Sequence, residues 1–217
     1  MPQIGSVRHD PVVIEQLIRS LARASASEAT LATIRRDLAR VAPDIKEQTV
    51  ASYIRFLMRL FVVETIPAWT PQLRSRARMR TSRKFHLADA SLAAAALRAT
   101  PQTLESDLQT LGFLFESAVI HDLAVMVEAM GGRIYHYRDS NGYEADAILE
   151  LPDGRWAAIE VKLGGGAVKE GLNGLASVVD QIAAPQPPSF VAVISGTGAA
   201  YSAGRGAVTF PLLALRP

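Results

Sequence analysis

The chain predicts an α/β fold: an α/β sandwich built on a mixed sheet, preceded by an N-terminal all-α, winged helix-turn-helix portion. Three observations predict it. Apolar residues recur at helical spacing in three short stretches before Phe61, a long helical period runs from Leu104 to Met130, and alternating strand-like runs follow from Arg133 onward. Thr100-Pro101 interrupts the pattern, so the expected division is a helical domain over 1–100 and a sheet-bearing domain over 101–217.

Composition narrows the possibilities. Of 217 residues, 49% are apolar, which is enough for a real core, and the absence of cysteine excludes disulfides and thiolate zinc sites. No basic-then-apolar leader opens the chain, and by eye no apolar run reaches the ~18 residues of a membrane span, so a cytoplasmic protein without a membrane partner is expected. The net charge is only +2, so partners have to be argued from where the charge lies.

Asp10 can cap a first helix with Pro11 at its first position, and Ile14, Leu17, Ile18 and Leu21 give it an apolar stripe to about Ala24. Ser27 or Thr30 can cap a second, striped by Leu31, Ile34, Leu38 and Val41 and ended by Pro43. Asp44 opens a third, with Val50, Ile54, Leu57 and Phe61 on one side. Followed by the strand-like FVVETIPAW, this order reads as a winged helix-turn-helix. Lys46, Gln48, Thr49, Ser52 and Arg55 stand on the solvent or DNA side of its recognition helix.

Between Pro71 and Phe85 stand Arg74, Arg76, Arg78, Arg80, Arg83 and Lys84 with no acid among them. Six cations on an extended wing would engage several phosphates and make binding steeply salt-dependent, which marks nucleic acid, and DNA first, as the partner. A basic loop docking an acidic protein domain fits the same run. Next come a short strand and an alanine-rich helix that Asp89 can cap. The long period of Leu104, Leu108, Leu111, Phe115, Val119, Leu123 and Met126 follows, stopped at Gly131-Gly132. Glu116 lies beside that stripe, either at the core edge facing the sheet or as a plain surface carboxylate. RIYHYR, 133–138, reads as an edge or first strand.

The chemistry lies in the next two strands, Tyr143–Leu151 and Arg155–Leu163, joined by Pro152, Asp153 and Gly154. A three-residue loop sets Leu151 opposite Arg155, hence Ile148 opposite Ala158 and Asp146 opposite Glu160. Period-two alternation then puts Asp146, Glu160 and Lys162 on one face, against an apolar face of Ala147, Leu149, Ala157, Ile159, Val161 and Leu163. Opposed carboxylates repel unless a cation stands between them, and Mg²⁺ or Mn²⁺ would suit such oxygen ligands. Lys162 would then orient a water or offset charge on a phosphate. A solvated hairpin face with a cross-strand ion pair fits the same residues.

Asp146 followed by Glu160-Val161-Lys162, behind a helix carrying Glu116 in LGFLFESAVIHDLAVM, resembles the D…ExK core of the PD-(D/E)xK nuclease-like superfamily. Leu111 to Lys162, with the preceding SRKFHLADASLAAAAL, is similar to the C-terminal domain of unknown function of bacterial and archaeal AAA-like P-loop ATPases. The resemblance implies a PD-(D/E)xK nuclease-like sandwich in which Asp146 and Glu160 hold the metal while Glu116 and Lys162 assist catalysis. It also implies a P-loop ATPase domain as partner. The pattern G-x-x-x-x-G-K-[ST] occurs nowhere in this chain, so any ATPase activity comes from another portion or polypeptide.

Gly164-Gly165-Gly166 leads into a helix expected from about Val168 to Ala183. SFVAVISG and AVTFPLLAL then read as two further strands, the last an edge strand because of Pro211. Two functions follow: Mg²⁺-dependent hydrolysis of DNA phosphodiesters, or a non-catalytic DNA- or protein-binding module working with an ATPase.

Overall fold

The computed structural model describes residues 10–70, 83–182 and 184–215. Helix α1 (Pro11–Arg23) starts as expected, the Asp10 carboxylate accepting the Val12 N–H ahead of Pro11. Thr30 caps α2 (Leu31–Leu38) through the Thr33 N–H, and α3 (Glu47–Arg59) has no side-chain cap. Leu17, Leu21, Ile34, Leu38, Val50, Ile54 and Leu57 meet in one core. Two stripe residues lie elsewhere than expected. Val41 falls past the end of α2, and Phe61, at φ 56° and 82% exposed, takes the left-handed position beyond α3 while the Val62 N–H returns to the Leu57 carbonyl.

Strands β1 (Val63–Ile66) and β2 (Lys84–Leu87) pair antiparallel, with Thr65 opposite Phe85. Three helices and a two-stranded ribbon thus occur in the expected order. Asp89 caps α4 (Ala90–Leu97) by accepting the Ser91 N–H, which gives that carboxylate a structural role. The single long helix expected from Leu104 is two: α5 (Pro101–Ser106) and α6 (Leu108–Ala129). The break comes at Asp107, whose carboxylate accepts the Thr110 N–H and starts a new helix. By length and composition α6 is apolar enough to cross a membrane, contrary to the reading of the sequence by eye. Here it lies against the sheet with Val119, Ile120, Leu123 and Val127 buried.

The sheet has six strands: β3 (Arg133–Arg138), β4 (Glu144–Glu150), β5 (Trp156–Lys162), β6 (Phe190–Ser195), β7 (Tyr201–Gly204) and β8 (Ala207–Pro211), in the order β3-β4-β5-β6-β8-β7. The first three form an antiparallel meander, β5, β6 and β8 run parallel, and β7 closes antiparallel on β8. Helix α7 (Val168–Gln181), after a 3₁₀ turn at Gly165–Ala167, crosses between β5 and β6. One sheet face packs on α6 through Ala147, Ile159, Ala192 and Ile194, and the other on α7 through Ile148, Ala158, Leu175 and Val193. The fold is therefore a mixed α/β sandwich. Strand β8 is not the edge that Pro211 suggested, because β7, unforeseen in a glycine-rich stretch, covers it. Yet β7 reaches only to Thr209, so the missing N–H of Pro211 interrupts no ladder on that side.

The helical half and the sheet share cores. Leu114 of α6 joins the core of α1–α3, Ile66 of β1 joins the α6 face of the sheet, and Trp69 joins the α7 face. The Trp69 N–H donates to the His136 carbonyl at 2.7 Å and the His136 N–H to the Pro67 carbonyl at 3.0 Å, so residues 67–69 are stitched to β3.

Candidate functional site: a carboxylate pocket closed by a lysine

The hairpin adopts the expected register. Gly154, at φ 83°, closes the three-residue loop, Leu151 N–H donates to the Arg155 carbonyl at 2.8 Å, and Ile148 stands opposite Ala158. The sequence did not announce a β-bulge on the other side of β4. Tyr135 pairs with Ile148 but Tyr137 with Ala145, so Asp146 and Ala147 together face His136. At the same point the β4–β5 ladder stops at Ala147–Ile159. The Val161 N–H, next in line for a backbone carbonyl, is accepted by Asp146 Oδ2 at 2.8 Å. The bulge thus turns the Asp146 carboxylate back onto β5.

Asp146 lines a cavity of about 350 Å³ with Glu116 of α6, Arg138 of β3, Glu144 of β4, Glu160 of β5, Lys84 of β2, and Glu28 beyond α1. Glu116, Asp146 and Glu160, far apart in sequence, are therefore together, and Lys162 Nζ stands 2.9 Å from Glu160 Oε1. Arg74, Arg76, Arg78 and Arg80 lie outside the described residues. Arg83 is exposed, its Nη1 donating to Thr65 Oγ1 at 3.3 Å. Grouping Lys84 with those arginines is corrected. Its side chain is only 3% exposed, and Nζ lies 3.1 Å from Glu116 Oε1, 3.0 Å from Glu144 Oε1 and 3.8 Å from Asp146 Oδ1. Arg138 Nη1 takes the other Glu144 oxygen at 3.5 Å.

Electrostatics follow from burial and crowding. Burial, then the Asp146 charge, push Glu116 up to about 8 although Lys84 pulls the other way. Burial and Asp146 push Glu160 up to about 7, partly offset by Lys162. Asp146 is also raised, by burial foremost, against the pull of Lys84 and the Val161 N–H. Burial opposes the charge on Lys84, but Glu116, Asp146 and Glu144 outweigh it and hold the ammonium protonated. Next to it, His86 Nδ1 lies 3.1 Å from Ser117 Oγ, and burial, helped by Lys84 and His136, pushes the imidazole down to about 3. His86 is thus neutral filling. His121 lies outside this cluster and pairs with Glu64 across α6 and β1 at 3.0 Å.

A divalent ion does not fit this arrangement. The oxygens of Glu116, Glu144 and Asp146 converge on an ammonium, Glu160 is engaged by Lys162, and among the described residues no three His, Asp or Glu side chains stand close enough together to ligate one ion. Sequence reasoning placed the carboxylates and missed their counter-ions, Lys84 and Arg138. The available signal was the surplus of acids, which needs a cation from somewhere.

Residues 111–215 match a family model described as domain of unknown function DUF4143. Residues 1–103 match a second, domain of unknown function DUF8612. The DUF4143 match takes in most of α6, the whole sheet and every carboxylate of the pocket except Glu28, while Lys84 falls in the DUF8612 match. No curated protein matches the chain. Among solved structures, the chain is similar to a type III CRISPR defence DNA nuclease activated by cyclic oligoadenylate, at 18% identity and TM-score 0.40 over 57% of this chain and 19% of that one. It is also similar to the assembly of Thermococcus gammatolerans McrB AAA+ hexamers with bound McrC, at 10% identity and TM-score 0.37, covering 93% of this chain and 70% of that one. This chain therefore spans only 19% of the length of the first.

Proposed function

We propose that this chain is a nuclease-like, winged-helix-bearing module that grips DNA without cutting it and works with a P-loop ATPase portion. The observation that carries the non-cutting part is Lys84 Nζ among Glu116, Glu144 and Asp146, which satisfies internally the charge that a catalytic metal would otherwise balance. The two cations that line the pocket, Lys84 and Arg138, are already paired with its carboxylates, so it offers a phosphate little to bind, and DNA is held elsewhere. The arginines from Arg74 to Arg83 are the grip. In sequence their run follows Trp69, which packs on Trp156, and precedes Lys84. The ATPase association rests on the likeness of Leu111–Lys162 to the ATPase-borne domain, a stretch inside the DUF4143 match, and on the lack of a P-loop pattern in the chain.

The test is duplex and junction DNA binding by fluorescence anisotropy across a salt series, with plasmid cleavage in Mg²⁺ and Mn²⁺ on the same samples. Affinity is expected to fall steeply with salt, and the Arg76→Gln/Arg78→Gln/Arg80→Gln variant to lose roughly 0.9 of log-log slope per phosphate contact removed, with DNA left intact throughout. Metal-dependent cleavage abolished by Lys162→Ala would reinstate the hydrolase. Absence of DNA binding in the wild type would remove the grip.

A further inference from the structure

Lys84 differs from a surface lysine that happens to reach an acid. The backbone carbonyl of the next residue, Phe85, accepts the Ala26 N–H at 3.1 Å, and His86, one further, is tied to Ser117. All of β2 is zipped to β1, with Ile66 opposite Lys84 itself. The ammonium is thus delivered by a fixed strand, on a side chain that is itself buried. Its three carboxylate partners come from α6 and β4, elements of the other half of the chain.

Each carboxylate of the pocket proper is already answered. Glu116 has Lys84; Glu144 has Lys84 and Arg138; Asp146 has Lys84 and the Val161 N–H; Glu160 has Lys162. A magnesium or manganese ion needs several oxygens at roughly 2.0–2.2 Å, and the place between the Glu116 and Glu144 oxygens is taken by Nζ, 3.1 and 3.0 Å from them and 3.8 Å from Asp146 Oδ1. Two cations cannot share it.

We propose that Lys84 is the resident cation of this pocket and excludes divalent metal from Glu116, Glu144 and Asp146 as long as β2 is docked. Lys84 is then the device behind the non-cutting behaviour proposed above, and it rests on that reading. It also makes the strand that follows the basic run the part of the chain that closes the carboxylate site. Removing the ammonium leaves Glu116 and Asp146 without their paired cation and Glu144 with Arg138 alone, the condition under which a divalent ion is recruited.

Mn²⁺ is titrated into the wild-type chain, Lys84→Met and Lys84→Met/Asp146→Asn, with binding read by calorimetry and by paramagnetic broadening of backbone amides. The wild type is expected to show no broadening at Glu160 and Val161. Lys84→Met is expected to bind Mn²⁺ at least ~10-fold more tightly than the wild type, and the double variant to lose that gain. Broadening at these amides in the wild type, lost in Asp146→Asn, overturns the proposal. So does a Lys84→Met chain that keeps its amide dispersion and gains no affinity. Should Lys84→Met fail to fold, the wild-type spectrum decides alone, because an ion on these carboxylates broadens the adjacent amides. A DNA mobility shift on the same wild-type sample separates the two readings. Bound DNA with a metal-loaded pocket overturns the role of Lys84 and leaves the DNA grip, whereas a metal-free pocket without DNA binding overturns the grip and leaves Lys84.

Discussion

Glu116 sits on α6 facing Lys84 from β2 and Asp146 and Glu144 from β4, and its pKa is pushed up to about 8 from an ordinary 4.5 by burial first and Asp146 second. Between those values the folded chain keeps a proton that the unfolded chain has released, so this group lowers stability as pH rises through the interval. Glu160, pushed up to about 7, acts in the same direction over a shorter range. His86 acts oppositely. Pushed down to about 3, it leaves the folded chain short of a proton that the unfolded chain binds below 6.5, so stability is lost as pH falls through that window. His86 no longer contributes above pH 6.5 and Glu160 fades above about 7, so the interval that reports chiefly on Glu116 is pH 7 to 8. Urea unfolding across it is expected to show wild-type stability falling as pH rises, and Glu116→Gln is expected to flatten the slope by roughly one proton, or about 1.4 kcal/mol per pH unit at most. An unchanged slope in the variant would mean that Glu116 is ionised in the folded chain. At this scale the acids were legible, because residue type and alternation name them. The state of each acid was not, since it depends on Lys84, whose neighbours in sequence are arginines and whose neighbours in space are carboxylates.

The hairpin of β4 and β5 was the most legible element, because a turn of fixed length leaves only one register that keeps Ala147, Ile159 and Val161 on an apolar face. Its bulge at Asp146–Ala147 was not legible. An extra residue in one strand changes neither composition nor the apolar count, and what accompanies it, the Asp146 carboxylate accepting the Val161 N–H in place of a ladder carbonyl, is a contact between strands. Helix boundaries show the same division: Asp10, Thr30 and Asp89 cap as read, while Asp107, inside an unbroken apolar period, splits a helix by capping α6. Gly154 tests what sets the register. It lies at φ 83° with nothing within 4 Å of an added Cβ, so a substitution meets backbone strain and no steric clash. Gly154→Ala is expected to cost about 1–2 kcal/mol in denaturant unfolding, and Gly154→Asn less, since asparagine tolerates the left-handed region better. Equal losses for both would implicate something other than φ.

The two family matches meet between residues 103 and 111, close to the break at Thr100-Pro101 that the sequence offers as a boundary, yet the cores do not respect it. Leu114 is buried with α1–α3, Ile66 with the α6 face and Trp69 with the α7 face, where its ring lies 4.8 Å from that of Trp156 at 37°. Contacts of this kind leave no periodic trace, which is why composition and spacing suggest two domains where packing joins them. Magnitudes favour the joining. A buried tryptophan removes roughly 150–250 Å² from water, on the order of 4–6 kcal/mol, against a typical total stability of about 5–15 kcal/mol. To this are added the buried contacts of Lys84 with Glu116 and Glu144 and of His86 with Ser117, all made across the same boundary. Cutting the chain after Thr100 would leave Glu116, Glu144 and Asp146 facing a pocket without their ammonium, and Trp156 without Trp69. The expected outcome is that the full chain melts in a single transition by calorimetry, with matching calorimetric and van't Hoff enthalpies, while residues 101–217 alone show no cooperative melt near neutral pH. That fragment should regain partial order at acid pH, where its carboxylates carry protons in place of Lys84. A fragment that melts cooperatively at neutral pH with native-like amide dispersion would show that the sheet stands alone and that the lysine is an accessory to it.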